Sequence, residues 1–151
     1  MPESLVASTY LSIFIHIIFA TKHRAPTIQS EWRGDLHAYI GGTVRGLGAT
    51  PLAVGGVADH VHVLAGIKAT HAVADLVRET KKASSMWAAT KQELFAWQGG
   101  YAALSLGFSD VDRIRSYIGN QEEHHRSVSS TEELLSLLAE HGVDYDPQFF
   151  E

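Results

Sequence analysis

The sequence contains no cysteine, which excludes disulfides, thiolate zinc sites and cysteine nucleophiles together. A metal held by this chain must therefore be held by histidine, carboxylate or amide groups. Positive charge is also scarce: 12 Lys and Arg stand against 17 Asp and Glu, a net charge of −5, whereas a generic nucleic-acid binder is basic. Long apolar runs are missing. The strongest, Leu11 to Phe19, includes His16 and is too short to cross a bilayer. No basic stretch precedes it and no clean small-residue cleavage site follows, so a signal peptide is not expected. Internal repeats and low-complexity segments are absent. These absences point to a cytoplasmic protein with no membrane association.

What is present fits one domain over 1–151. The chain has 151 residues, 45% of them hydrophobic, enough for a real core. The ends, 1–8 and 144–151, are expected to be flexible or to pack on a partner. Charge is unevenly placed. Lys22-His23-Arg24 and Arg78, Lys81, Lys82 are basic, while Glu132-Glu133, Glu140, Asp144, Asp146 and Glu151 make the C-terminal end acidic. A local basic surface can exist on an acidic protein.

Periodicity places the elements. Tyr10 to Ala20 is rich in β-branched and aromatic residues and reads as a buried strand. Trp32, Leu36, Tyr39, Ile40, Val44 and Leu47 recur at helical spacing, and Gly48 closes that helix. Pro51–Val57 and His60–Ile67 read as two strands joined through Gly55-Gly56 and Asp59. His71–Lys91 reads as an amphipathic helix, Phe95–Tyr101 as an ordered loop or short edge strand, and Ala102–Phe108 as the last strand. A helix from Val111 to about Arg126 follows, capped by Ser109-Asp110. A last helix, Thr131–His141, is capped by Ser130 and stopped by Gly142. The order β-α-β-β-α-β-α-α predicts an α+β fold: a ferredoxin-like (RRM-like) split βαβ antiparallel sheet with helices on one face and extra C-terminal helices.

The chemistry concentrates in two places. His60-Val61-His62 lies in a strand, where residues two apart share a face, so both imidazoles point one way while Val61 points into the core. That geometry can hold one metal ion, although an isolated pair of this kind is as readily structural. Asp59 points to the other face in a regular strand, or joins the histidines from behind if the chain bulges there. Downstream, Tyr117 and Gln121 stand four apart on one helical face. Alone, Tyr117 between Ile114 and Ile118 reads as a core tyrosine and Gln121 as a solvated residue. An amide oxygen can nevertheless complete a hard-metal shell without adding charge. His124 and His125 read as the polar end of the same helix.

Metal, phenol and phosphodiester suit one another. A divalent ion on a non-bridging oxygen offsets the charge that repels nucleophiles, and a tyrosine attack conserves the broken bond's energy as a phosphotyrosine. Lys22, Arg24, Arg78, Lys81 and Lys82 are candidate DNA-phosphate contacts, each cluster being equally a solvated face. Trp87, Trp97 and Tyr101 are either base-stacking platforms or packing residues.

Over nearly its whole length the chain resembles the IS200/IS605-type single-tyrosine transposases, including those associated with repetitive extragenic palindromes. The resemblance rests on Thr21-Lys22-His23-Arg24-Ala25-Pro26, Gly55 to Leu64, Lys82 to Trp87, Phe95 to Tyr101 and Ile114 to His125. It implies His60, His62 and Gln121 as metal ligands, Tyr117 as nucleophile, and Mg²⁺ or Mn²⁺ as the ion. It further implies single-stranded DNA with hairpins as substrate, cut to a 5′-phosphotyrosine and a free 3′-hydroxyl. The implied assembly is a homodimer with joined sheets, in some members with active sites shared between subunits. Two other readings of the residues stay open. One is a metal-dependent phosphodiesterase that activates water and forms no covalent intermediate; the other is a domesticated, non-catalytic binder of DNA hairpins.

Overall fold

The computed structural model describes residues 8–146, so most of the expected tails, 1–7 and 147–151, lie outside the described residues. Among the described residues the strands and α-helices follow in order: β1 (Phe14–Ala20), α1 (Ser30–Gly46), β2 (Thr50–Gly56), β3 (His60–Gly66), α2 (Val73–Ala88), β4 (Ala102–Leu106), α3 (Val111–Gly119), α4 (Gln121–His124) and α5 (Ser130–Glu140), with 3-10 turns at Lys22–Arg24 and Phe108–Asp110. The strands form one antiparallel sheet in the order β2-β3-β1-β4, the split βαβ arrangement expected from the element order.

Alternation along the two central strands sorts residues onto two faces. Ile15, Ile17 and Phe19 of β1 and Val61, Val63 and Ala65 of β3 join Leu36, Ile40 and Val44 of α1 and Leu76 and Val77 of α2 in the main core. Leu36, Ile40 and Val44 recur every four residues, so one stripe of α1 is buried. Truncating a side chain such as Leu36, which is fully buried, to alanine costs roughly 2–5 kcal/mol. The opposite face receives His16 and Ile18 from β1 and His60, His62 and Leu64 from β3. It is covered by the C-terminal helices: α3 packs Val111, Ile114 and Ile118 on Leu64, and α5 packs Leu138 on Ile18 and Leu104.

Several boundaries differ from the sequence reading. β1 begins at Phe14 rather than Tyr10, because its partner β3 ends at Gly66, which pairs with Phe14; Tyr10 is 88% exposed. The expected helix from Val111 to Arg126 is two helices, broken at Asn120 (φ −102°, ψ 21°), where Gly119 and Asn120 are both weak helix formers. The cap of α5 is Ser129 rather than Ser130: its hydroxyl accepts from the Glu132 amide at 3.1 Å while Glu132 reaches back to the Ser129 amide, a complete capping box. Phe95–Tyr101 is an ordered loop joined to the end of β1 by one β-bridge, Thr21 with Trp97, and by Trp97 packed on Phe19. No helix among the described residues is long and apolar enough to cross a membrane.

Candidate metal and nucleophile site

The site forms where the second face of the sheet meets α3, α4 and α5. β3 supplies His60 and His62 on adjacent same-face positions, buried to 1% and 0% exposure. Val61 between them is in the opposite core, as alternation requires. β2 brings α3 unusually close: a Cβ on Gly55 would stand 2.5 Å from the Ile118 carbonyl, so only glycine fits where Gly55 pairs with His62. Tyr117, the neighbour of Ile118, is thereby laid edge-on to the His62 ring, centroids 5.8 Å apart. The break at Asn120 still leaves Gln121 buried in the site.

His60 Nε2 lies 3.0 Å from Gln121 Oε1, and His60 Nδ1–H donates to Asp59 Oδ1 at 2.8 Å. Asp59 thus joins from behind, through the turn preceding β3. Two residues absent from the sequence-based candidate set complete the cluster. His125 Nε2 donates to Gln121 Oε1 at 3.0 Å and lies 3.2 Å from Glu133 Oε1. Glu133, at 3% exposure the most buried acid in the chain's described part, accepts from His62 Nε2 at 2.9 Å and lies 3.1 Å from His60 Nε2. Its second oxygen accepts from Gln121 Nε2 at 2.9 Å and from the Tyr117 hydroxyl. His125 had one sequence signal, its place one turn beyond Gln121; Glu133 had none beyond belonging to an acidic helix.

α5 is held in place by polar ties as well as packing. Ser130 Oγ donates to Asp59 Oδ2 at 3.0 Å, and Arg24 Nη1 donates to Ser130 Oγ at 3.1 Å. Arg24 and His23 both adopt positive φ, 53° and 59°, a conformation uncommon outside glycine that the surrounding contacts must hold.

Electrostatics follow from this packing. Burial alone would raise the Glu133 carboxyl, but the hydrogen bonds from His60 and His62 outweigh it and hold the group well below the usual carboxylate range. Burial disfavours the His60 cation, yet Asp59 and Glu133 reverse that and raise it to about 9. Burial keeps His62 below its ordinary value and raises the Tyr117 phenol, which the Glu133 carboxylate raises further.

The donor set suits a divalent cation. One atom each from His60, His62, His125 and Glu133 lies within 4.8 Å of the others, with the Gln121 amide oxygen beside them. The contacts from His60, His62 and His125 to Glu133 and Gln121, 2.9 to 3.2 Å, gather these donors around one point, where they would hold such an ion.

The candidate DNA contacts divide. Arg24 is tied to α5, and Lys81 Nζ donates to the carbonyls of Gln98 and Gly100 at 2.7 and 2.9 Å. Arg78 pairs with Asp75 at 2.9 Å, and Lys22 and Lys82 are exposed. Trp97 packs edge-on to Phe19 and donates to Ser84 Oγ, and Trp87 stacks on Tyr39, so both serve packing.

Residues 9–121 match the family model described as "Transposase IS200 like", a span that ends at Gln121 and leaves α5 outside. No curated protein matches the chain. Among solved structures, a candidate transposase from Deinococcus radiodurans R1 is similar at 24% identity and a TM-score of 0.62, over 76% of this chain and 95% of that one. A REP-associated tyrosine transposase bound to a REP hairpin is similar at 16% identity and a TM-score of 0.59, over 79% of this chain and 74% of that one. With the family model covering most of its length, the chain belongs to the IS200-like transposase family.

Proposed function

We propose that this transposase cleaves and rejoins single-stranded DNA at hairpin-bearing ends, with Tyr117 as nucleophile and His60, His62 and Gln121 holding Mg²⁺ or Mn²⁺. The observation that carries the reading is the meeting, in one chain, of the Tyr117 hydroxyl with the metal-type donors. Glu133 bridges them, one oxygen toward the histidines and the other toward the phenol. The structural neighbour bound to a REP hairpin supports the substrate class.

The residues divide the work. Gly55 and Ile118 fix α3 against β2, so Tyr117 is aimed at the face of the histidine pair. Asp59 orients His60 through Nδ1. A bound ion would polarise a non-bridging phosphate oxygen and offset the negative charge that raises the phenol. The Tyr117 oxygen forms the bond to phosphorus, the 3′-oxygen leaves with a proton, and the 5′ end stays on the enzyme as a phosphotyrosine. A free 3′-hydroxyl reverses the step on a new strand. Tyr117 donates to Glu133 here, so an incoming phosphate must take that hydroxyl from the carboxylate. With nucleophile and metal-type donors in one chain, each subunit of the expected homodimer carries a complete site.

Peptide mapping after incubation with single-stranded hairpin DNA and Mn²⁺ tests the reaction. The expected product is a DNA-linked peptide containing Tyr117, matched by a fragment ending in a 3′-hydroxyl and absent in Tyr117→Phe. Cleavage with no linked peptide contradicts it and leaves the water-activating phosphodiesterase.

A further inference from the structure

His16 is a polar residue in an otherwise apolar strand, Phe14 to Ala20, and the proposed reaction gives it no role. It is 2% exposed, and a buried imidazole needs a partner. In the β1–β3 register His16 pairs with Leu64 and Ile18 with His62, so His16 and His62 are diagonal neighbours on the site face, within reach of each other. Their rings stack with centroids 4.9 Å apart, and His16 Nε2 lies 2.7 Å from His62 Nδ1. His16 also borders a cleft of about 430 Å³ lined by Tyr117, Glu133, Arg113 and His124.

The two nitrogens of His62 have different tasks. Nε2 faces the Glu133 carboxylate at 2.9 Å; a carboxylate only accepts, so without an ion Nε2 carries the proton. His62 Nδ1 then accepts, and His16 Nε2–H is the donor. A histidine that ligates through Nε2 must instead carry its proton on Nδ1 and donate it. His16 can meet both demands, because neutral imidazole donates from one nitrogen and accepts at the other. Its 2% exposure favours the neutral ring.

We propose that His16 is a positioning residue for His62: it donates to Nδ1 in the metal-free protein and accepts from Nδ1 when Nε2 turns to an ion, matching the His62 tautomer to each state. The second half rests on the metal reading above. The protons balance. One leaves His62 Nε2, the shared one crosses from His16 Nε2 to His62 Nδ1, and one arrives at His16 Nδ1, so the pair's count is unchanged. An aliphatic residue of similar size fills the space but can neither donate nor accept. A glutamine can do either by turning its amide.

Two measurements on the whole chain test this. The first is imidazole ¹⁵N NMR of the wild type, without metal and with diamagnetic Mg²⁺. The expected spectra put both protons on Nε2 without metal and both on Nδ1 with it. A metal-free His16 protonated on Nδ1, or a Mg²⁺-loaded His62 without an Nδ1 proton, overturns the proposal. The second is Mn²⁺ titration calorimetry of wild type, His16→Leu and His16→Gln. Binding is expected to weaken by roughly 10–100-fold in His16→Leu, the usual loss on removing a partner behind a metal ligand, and to recover to within a few-fold of wild type in His16→Gln. Equal affinity in His16→Leu overturns it. A wild type that binds neither ion sinks the metal reading, and with it the second half, while the metal-free spectrum still decides the first.

Discussion

His60 stands between two carboxylates, with Asp59 on Nδ1 and Glu133 near Nε2, and this makes the stability of the metal-free protein depend on pH in a defined direction. Its value rises from 6.5 to about 9 on folding, so its contribution, on the order of 3 kcal/mol, is complete below pH 6.5 and is lost as pH climbs through 9. His16 runs the other way. Its value falls from 6.5 to about 3 on folding, so the stability it allows is present above pH 6.5 and declines as pH drops toward 3. In chelator, the denaturation midpoint should therefore peak between about pH 6 and 7. Saturating Mn²⁺ should flatten the alkaline decline, because a ligating histidine has already lost its proton; an unchanged decline would mean that His60 is not a ligand. At this scale the sequence singles out His60 and His62, because the strand period puts them on one face, and Tyr117 with Gln121 on a helical spacing, although these two fall in separate helices. It does not show Glu133 or His16, which reach His62 across 71 and 46 residues, a distance that no local period encodes.

The elements meet most tightly at Gly55. Gly55→Ala forces a methyl into the Ile118 carbonyl, so β2 and α3 must part. The expected cost is about 1–3 kcal/mol of stability, with a disproportionate loss of DNA-linked product because Tyr117 moves with Ile118. Gly42→Ala is the control: it lies inside α1 with nothing near its Cβ position and should stabilise by about 0.5–1 kcal/mol. Equal effects of the two on denaturation midpoint and product yield would show that the β2–α3 approach does not set the nucleophile. The element order was legible because each strand and helix has its own period and turn residues. The boundaries were less so: β1 starts where its partner strand ends, the helix at Val111 stops at Gly119-Asn120, and only the reciprocal bonds of Ser129 and Glu132 distinguish the cap of α5 from Ser130. The side of the sheet taken by the C-terminal helices follows from Leu64, Ile18 and Leu104 offering an apolar surface around the histidines.

For the whole molecule, a net charge of −5 means that the proposed DNA binding rests on local basic groups, and the candidates among these differ in how free they are. Arg24 and Lys81 are tied to neighbouring groups, whereas Lys22 and Lys82 are exposed. Lys22→Ala and Lys82→Ala should weaken binding to single-stranded hairpins irrespective of sequence and lower the salt slope by about one each; unchanged slopes in a fluorescence anisotropy titration would place the phosphates elsewhere. The fold also brings Tyr117 against His62, more than fifty residues away in sequence, within one chain, and the proposed reaction takes this pairing as a complete site. The most direct test of that claim mixes two inactive proteins, Tyr117→Phe and His60→Ala, after subunit exchange, and assays denaturant-resistant DNA adducts with Mn²⁺. A site complete in each chain predicts no adduct from either variant or from the mixture. Adduct recovered only in the mixture would show the tyrosine of one chain working with the histidines of another, and would contradict the account.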